Sequence, residues 1–220
     1  MPFFFAEREG DRAFIRGSDA SHLARSLRAR AGEEIQVVDA QGFLLTVRVE
    51  TVSSSLIAGR ILAEEKHQPE PTRHVVVAIS HLPATSLDLV LSRCTEVGAS
   101  AFHIVQADRS VARGARRERW QTIVREAAML AGRLRVPVIA GPSPLAEVLR
   151  GHPSPVMLVR GAGTALSAMP REGDVTLLIG PEGGWTEREL AMVPMHAALG
   201  PRNLRADTAA VVATAIAVGA

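Results

Sequence analysis

From residue 73 onward the sequence alternates between short apolar runs and segments with helical periodicity. The apolar runs predict buried strands at residues 74–80, 101–106, 136–140, 156–160 and 175–179. Helices are predicted between them, at residues 87–97, 116–133 and 145–149. Each helix would carry the chain back across the sheet, so that successive strands run parallel. The C-terminal part of the chain is therefore predicted to be an α/β domain built on a parallel sheet.

The first 70 residues have a different pattern, which predicts a small β-rich unit with one helix. Strands are predicted at residues 34–39, 43–50 and 56–62, and strands of this length and spacing favour a small barrel. A helix is predicted at residues 19–28 with Ser18 as its N-cap, because Leu23 and Leu27 fall on one face.

A segment at residues 63–72 loses both patterns and contains Pro69 and Pro71. We predict that it is a linker and that the domain boundary lies near residue 70. The two predicted domains are residues 1–70 and 73–220.

Composition excludes several classes of site and location. The single Cys94 excludes an intramolecular disulfide and a cysteine-based metal site, and the seven histidines have no ligand-like spacing, so no metal is predicted. No run reaches the roughly 20 apolar residues of a membrane span, and the N-terminus does not have the pattern of a signal peptide. A cytoplasmic protein is expected. The formal net charge is only +2, but arginines are dense between Arg109 and Arg135.

Two loops of similar design follow the last two predicted strands. The first follows the strand at residues 175–179: Gly180-Pro181 ends the strand, Gly183-Gly184 permits close backbone approach, and Thr186 precedes Glu189 at capping-box spacing. The second follows an apolar run at residues 197–199 and reads Gly-Pro-Arg-Asn before the last helix. Loops at the carboxyl edge of a parallel sheet form a crevice for a small ligand. Neither loop has the glycine pattern of a dinucleotide site or the Gly-Lys-Ser/Thr of a phosphate loop.

The segments LLIGPEGGWTEREL and ALGPRNLRADTAAVVATAIA resemble the paired motifs of the SPOUT methyltransferases. More narrowly they resemble the RsmE family, which methylates a uridine of 16S ribosomal RNA at N3. The resemblance implies an N-terminal PUA-like RNA-binding barrel, a C-terminal domain with a trefoil knot, and a homodimer. It also implies S-adenosylmethionine as the cofactor and 16S rRNA or the small ribosomal subunit as the partner.

Cofactor contacts are implied mainly in the two loops. The resemblance assigns them to Val159, Leu178, Ile179, Gly180, Pro181, Gly183, Gly184, Leu199, Gly200, Asn203, Leu204 and Thr208.

Three residues are candidates for the chemistry. Arg205 precedes the last helix, where a cation opposes the helix dipole and needs another reason to be there. Holding an RNA phosphate or the developing charge on a uracil oxygen would be such a reason. Arg133 matches an arginine that the family retains after the long helix. Glu182 could orient the cofactor or transfer a proton, but it could also serve only as a favourable charge near a helix start.

Five arginines are the candidates for RNA contact. Arg113, Arg116 and Arg117 precede or begin the long helix, and Arg25 and Arg28 are predicted to share one face of the first helix. The alternative for each is a solvated charged surface. In the long helix, Trp120, Val124 and Leu130 belong to a predicted core face.

Some positions depart from the family pattern. Met129-Leu130 replaces an acidic residue and Gln, while Ala206 and Asp207 replace Thr and Glu. Two alternatives therefore stay open. One is a methyltransferase that modifies ribose 2′-OH, and the other is a non-catalytic RNA-binding assembly factor.

Overall fold

The computed structural model describes residues 3–25, 28–152 and 154–219. Packing divides the chain into two units. The first comprises residues up to Glu70 together with Ala128–Arg135, and the second comprises Pro71–Ala127 and Val136–Ala220. The segment Ala128–Arg135 was not anticipated in the first unit, because its sequence continues the helical pattern of the residues before it.

The first unit contains a closed five-stranded barrel, as predicted. Its strands, in the order β1-β2-β5-β4-β3, are β1 (Phe4–Glu9), β2 (Arg12–Arg16), β5 (Leu56–Lys66), β4 (Phe43–Val52) and β3 (Glu34–Asp39). Parallel pairing of β1 with β3 closes the barrel, and the other pairs are antiparallel. Strands β1 and β2 were missed from the sequence. Strand β5 also takes up the first residues of the predicted linker, because Glu64 to Lys66 pair with β4.

The barrel is filled by the inward side chains of its strands and by α1 (Gly17–Arg25). Leu23 is 1% exposed in this core, as its helical position predicted. Two details of the helix prediction are wrong. Ser18 lies inside α1 and is not its N-cap, and Arg28 lies beyond the helix with a φ of 54°. The predicted partner Leu27 lies outside the described residues.

The second unit is built on a six-stranded sheet with the order β11-β9-β10-β6-β7-β8, and every adjacent pair is parallel. The prediction of a parallel α/β domain is confirmed. The strands are β6 (Val75–Ser80), β7 (Ala101–Gln106), β8 (Val138–Pro144), β9 (Pro155–Leu158), β10 (Val175–Ile179) and β11 (His196–Ala197). The helices are α2 (Ala84–Val97), α3 (Arg117–Leu130), α4 (Leu145–Gly151), α5 (Glu187–Ala191) and α6 (Ala206–Val218).

The central strands explain why the sheet was easy to predict. All residues of β6 and of β10 are buried, because helices cover both faces of a parallel sheet, and nine of these eleven residues are apolar. Helix α2 stops at Gly98, as predicted, where φ is 121° and the amide donates to the carbonyls of Cys94 and Thr95. Its N-cap is Pro83, so the predicted caps Thr85 and Ser86 lie within the helix.

Two histidines of this unit form a pair, in which His103 is buried and His152 is half-buried. His103 Nδ1, on β7, lies 2.9 Å from Nε2 of His152, which follows α4, and the two rings are nearly perpendicular. Burial is the main cause that lowers the pKa of each ring. The neighbouring ring lowers the pKa of His103 further, Glu147 partly opposes this, and His74 lowers the pKa of His152.

We expect the stability of the protein to fall on acidification because of this pair. A His pKa lowered by folding means that the unfolded chain binds protons more readily, so stability rises with pH. The contribution is complete above the unfolded pKa of about 6.5 and is lost as the pH falls through the lower folded values. Urea denaturation between pH 7.5 and 5 should show a shallower loss of unfolding free energy for His103→Asn than for the wild type. Equal slopes would contradict the prediction.

Candidate functional site

The first glycine loop leaves β10 and is built around Trp185. Gly184 has a φ of 71°, and its amide donates to the Pro181 carbonyl at 2.8 Å, which closes a turn. The indole of Trp185 lies over Gly180, where an added Cβ would meet Nε1 at 2.9 Å and Cε2 at 3.0 Å. Gly180 is therefore required for space, while Gly184 is favoured by its backbone angle.

Helix α5 begins after this loop with the predicted capping box, which is confirmed. Thr186 is the N-cap: its hydroxyl accepts from the Glu189 amide, and its own amide donates to Glu189 Oε2 at 2.8 Å. Glu189 is 1% exposed, and its other oxygen accepts from the amide of Asp108 at 3.0 Å. The Asp108 carboxylate in turn accepts from Arg188 at 2.6 Å and from the Thr186 hydroxyl at 2.9 Å, and both bonds lower its pKa. These bonds tie the loop after β7 to the start of α5.

Arg109 braces the glycine loop from the same side. Its Nη1 donates to the Gly183 carbonyl at 2.8 Å and to the Trp185 carbonyl at 3.4 Å. Hydrogen bonds to a charged donor are the stronger kind. The backbone around Trp185 is therefore held by both Arg109 and the capping box.

The second loop joins β11 to α6 and places Arg205 at a helix end. Gly200 has a φ of 111°, and Arg205 is the N-cap residue of α6 in an extended conformation, with no capping bond from its side chain. Its side chain is 73% exposed, and Nε lies 4.0 Å from Asp207 Oδ2. A cation at the positive end of a helix gains nothing from the helix dipole. Folding alone therefore gives no reason for a cation at this position.

Together the two loops enclose a cavity of about 600 Å³ at the carboxyl ends of β9, β10 and β11. This volume suits a cofactor-sized ligand. Much of the wall is backbone, because four of its residues are glycines. The lining residues are Leu158, Val159, Arg160, Ile179, Gly180, Pro181, Glu182, Gly183, Gly184, Trp185, Ala197, Leu199, Gly200, Arg202, Asn203, Leu204, Arg205, Ala206 and Ala209.

Ten of the twelve residues predicted to contact a cofactor line this cavity. They are Val159, Ile179, Gly180, Pro181, Gly183, Gly184, Leu199, Gly200, Asn203 and Leu204. Leu178 does not line it, because its side chain is fully buried in an apolar cluster with Ala78 and Met157. Thr208 does not line it either: it is exposed on the first turn of α6, and its amide donates to Asp207 Oδ1 at 2.7 Å.

Only two of the three predicted catalytic residues line the cavity. Arg205 and Glu182 both line the cavity, and both are exposed. Arg133 is not among the lining residues. Its side chain is 4% exposed in the first unit, where Nη2 and Nε donate to Glu70 Oε2 at 2.5 and 3.2 Å.

The other Glu70 oxygen accepts from the amides of Leu134 and Arg135 at 2.9 and 3.1 Å. The carboxylate therefore clamps the turn that follows α3, and Arg133 completes the clamp. A role in stability accounts for Arg133 without chemistry.

We expect Arg133→Met to lower the unfolding free energy by about 2–3 kcal/mol, because removing one partner leaves the largely buried Glu70 carboxylate underpaired. The value is discounted from that of a fully buried pair, since the Glu70 side chain is 20% exposed. Urea denaturation measures it. Glu70→Gln with Arg133→Met should cost less than the sum of the single changes. An unchanged denaturation midpoint for Arg133→Met would contradict a structural role.

The predicted RNA-binding arginines are all exposed. Arg116 and Arg117 stand at the start of α3, and Arg113 donates to the carbonyls of Ser110 and Ala112 in the loop before it. In the first unit, Arg25 is the last residue of α1, and Arg28 lies outside the helix. The prediction that these two share one helix face is therefore wrong, because Arg28 is not helical.

Seven of the lining residues were not predicted as site residues, and three of these have side chains that can donate hydrogen bonds. Trp185 stood inside the quoted motif, and Arg202 stood inside the second loop. Arg160 follows β9 directly, so its position at a strand end was a usable signal.

Two searches of the described residues gave negative findings. None of the helices is long and apolar enough to cross a membrane. Within the same ranges, no three His, Cys, Asp or Glu side chains are grouped so that they could hold a metal ion.

Comparison with known proteins adds independent findings. A family model described as an RNA methyltransferase domain matches residues 68–218, and one described as an RNA methyltransferase PUA domain matches residues 15–62. The chain is 33% identical to ribosomal RNA small subunit methyltransferase E of Mycobacterium bovis, over 91% of this chain and 84% of that protein. It is 26% identical to the protein of the same name from Bacillus subtilis, over 89% and 85% of the two chains.

A solved structure agrees with these relatives. It is a ribosomal RNA small subunit methyltransferase E from Neisseria gonorrhoeae bound to S-adenosylmethionine, 27% identical to this chain. The match has a TM-score of 0.87 and covers 98% of this chain and 95% of that one.

Proposed function

Because the chain belongs to the family of ribosomal RNA small subunit methyltransferases E, we propose that it methylates N3 of a uridine in 16S rRNA with S-adenosylmethionine as the methyl donor. The observation that carries the proposal is the cavity of about 600 Å³ between the two Gly-Pro loops. Its position at the carboxyl ends of parallel strands is where α/β sheets bind their ligands.

The cavity fits S-adenosylmethionine in size and in the character of its walls. Gly180, Gly183 and Gly200 let a ligand approach the backbone, whose N–H and C=O groups can bind the adenine and ribose. Val159, Leu199 and Leu204 supply apolar surface for the flat base. When bound, the cofactor supplies a sulfonium-activated methyl group.

Arg205 is the residue that we assign to the uracil. Methylation at N3 requires the N3 proton to leave, and negative charge then spreads to the neighbouring carbonyl oxygens. A guanidinium beside O2 or O4 stabilises that charge more strongly than it stabilises the neutral base. Arg205 is suited to this role because it is exposed at the cavity wall and its nearest carboxylate contact is at 4.0 Å.

Glu182 is the candidate for accepting the proton. Its carboxylate is exposed on the cavity wall, in the loop opposite Arg205. A positioned base contributes roughly 10²- to 10⁴-fold to such a step. The N3 proton would pass to the Glu182 carboxylate as the bond from N3 to the methyl carbon forms and the sulfur leaves as a neutral thioether.

Arginines outside the cavity are proposed to hold the RNA. Arg113, Arg116 and Arg117 form one exposed group before and at the start of α3, and Arg25 and Arg28 form another on the first unit. Phosphate contacts of this kind make binding fall steeply with salt. The target uridine must be unstacked to enter the pocket.

Helix α6 supports the proposal of a homodimer. Its buried residues are Ala210, Ala213, Thr214 and Ala217, while Val212 and Ala215 lie half-buried on the opposite side of the helix. An apolar helix face of this kind is commonly covered by a partner. We further propose that the partner copy helps to complete the active site.

Two more proposals follow from membership of the family. The C-terminal segment is proposed to be threaded as a trefoil knot, and the protein is proposed to act in ribosome biogenesis in the cytoplasm.

The decisive experiment is mass spectrometry of 16S rRNA from cells with and without the gene. We expect one uridine to lose a base methyl group in the deletion strain and to regain it on complementation. Loss of a ribose methyl instead would indicate a 2′-OH methyltransferase. No lost methyl group, combined with RNA binding but no cofactor binding by calorimetry, would indicate an assembly factor.

A further inference from the structure

Arg160 and Arg202 line the cavity but have no part in the proposed chemistry. Both residues are exposed, and neither makes a hydrogen bond or an ion pair with another residue that the structure describes. Other arginines of the same unit are paired, such as Arg119 with Asp88. The contacts of the fold therefore do not account for the two cations. Because the residues are exposed and also line the cavity, they border its opening to solvent.

The two arginines reach this opening from different strand ends. Arg160 lies just after β9, which is the middle strand of the three whose carboxyl ends meet the cavity. Arg202 lies in the loop after β11, the same loop that carries Arg205. Since β9 pairs with β10 on one side and with β11 on the other, Arg160 stands between the two glycine loops and Arg202 belongs to one of them.

The charge around the cavity does not match the cofactor alone. Three arginines line it, and Glu182 is the only carboxylate among its described lining residues, so the lining has a formal excess of two positive charges. S-adenosylmethionine carries two cationic groups and one carboxylate, and an excess of positive charge repels such a ligand overall. Its single carboxylate can pair with one guanidinium, which leaves the other unexplained. The excess suits a polyanion that reaches the same opening.

RNA is such a polyanion, and an unstacked nucleotide brings its charge to the opening. When the target base enters a pocket, the phosphates on either side of its sugar stay outside. A guanidinium presents a planar pair of donors that matches two phosphate oxygens. Exposed arginines at the opening therefore lie where these phosphates arrive.

We propose that Arg160 and Arg202 bind the RNA phosphates next to the target uridine, so that the opening of the cavity is part of the RNA-binding surface. The proposal rests on the proposed function, which brings a uridine to this cavity. Arg113, Arg116 and Arg117 do not line the cavity, so they would hold other parts of the RNA. Arg160 and Arg202 would hold the strand where the base enters.

The test is the double change Arg160→Ala with Arg202→Ala. Binding to small ribosomal subunits from the deletion strain is measured over a series of salt concentrations at constant magnesium. We expect the dissociation constant to rise about 5- to 30-fold at low salt, as for the loss of two exposed charged contacts. The plot of log affinity against log salt should become shallower by roughly 0.7 to 0.9 for each arginine removed.

Cofactor binding and stability are measured on the same double variant. The dissociation constant of S-adenosylmethionine by calorimetry should be unchanged or lower, because the cavity has become less positive. The melting temperature should be unchanged, since neither side chain is bonded to a described residue. Weaker cofactor binding with an unchanged salt slope would show that the arginines hold the cofactor carboxylate, and would overturn the proposal.

Two further variants separate local contacts from the general charge of the protein. Arg150→Ala removes the same charge from an exposed position in α4 outside the lining, and it should keep the wild-type slope. Arg160→Lys with Arg202→Lys keeps both charges and should also keep the slope. A slope that is unchanged in the double alanine variant contradicts the proposal. A slope that falls as much per charge in Arg150→Ala contradicts it too, because the effect is then not local.

The wild-type protein alone tests the proposed function on which this inference rests. If it binds no S-adenosylmethionine and transfers no methyl group to the subunits, the proposed function fails. If it methylates the subunits while the double alanine variant keeps the wild-type salt slope, only the role of the two arginines is rejected.

Discussion

Replacing Arg205 with alanine is expected to lower the single-turnover rate of methyl transfer by about 10²- to 10³-fold, the size of effect seen when one oxyanion-stabilising donor is removed. The dissociation constant of S-adenosylmethionine should change much less. The reason is that Arg205 is assigned to charge that develops on the uracil only as the N3 proton leaves. A loss confined to the chemical step is the signature of an interaction made in the transition state.

Single-turnover kinetics with saturating RNA and cofactor separate this step from binding. Arg205→Lys should recover part of the rate, because it restores the charge without the planar pair of donors. Arg150→Ala is the control: Arg150 is exposed in α4 and outside the cavity lining, and its removal should leave the rate unchanged. A rise in the RNA dissociation constant with an unchanged rate would show that Arg205 only holds phosphate.

Gly180→Ala should weaken S-adenosylmethionine binding by about 5- to 150-fold, the change in dissociation constant that corresponds to the roughly 1–3 kcal/mol that overpacking costs. An added Cβ would lie 2.9 and 3.0 Å from two atoms of the Trp185 indole. The contacts of Arg109 and the capping box leave the ring little room, so either the indole or the strand end must move. Both belong to the cavity wall.

Calorimetry measures the loss, and Gly151→Ala is the matched control because a Cβ at Gly151 meets no atom within 4 Å. Adding Gly180→Ala to a Trp185→Ala background should cost much less than in the wild type, since the obstructing ring is gone. Equal costs in the two backgrounds would show that the clash with Trp185 is not the cause.

Several parts of the fold were readable from the sequence because they depend on local pattern. Strands β3, β7 and β10 have the predicted bounds, since each apolar run is closed by residues that end a strand. Gly98 and the Thr186–Glu189 capping box were also found, because helix ends are specified by one or two residues.

Other features of the fold were missed or predicted wrongly, and each case has a physical reason. Strands β1 and β2, which complete the barrel, were missed because charged residues interrupt their apolar runs. In α3, Leu130 was predicted to be in the core but is 63% exposed, while Met129 is buried with the barrel. Helical spacing predicts which residues share a face, but the partner of that face changes along α3, where the chain passes from one unit to the other.

The local design of the site could be predicted from neighbouring residues: two strand ends broken by Gly-Pro, glycines where the backbone lines a cavity, and an arginine before the last helix. These features depend on backbone angles and helix ends, which a few neighbouring residues control. Which of the two candidate arginines lies at the cavity depends instead on tertiary packing. Arg205 lies on the cavity wall, whereas Arg133 is paired with Glu70, a partner 63 positions away. Pairing at such a distance depends on how the chain packs, and no local pattern records it.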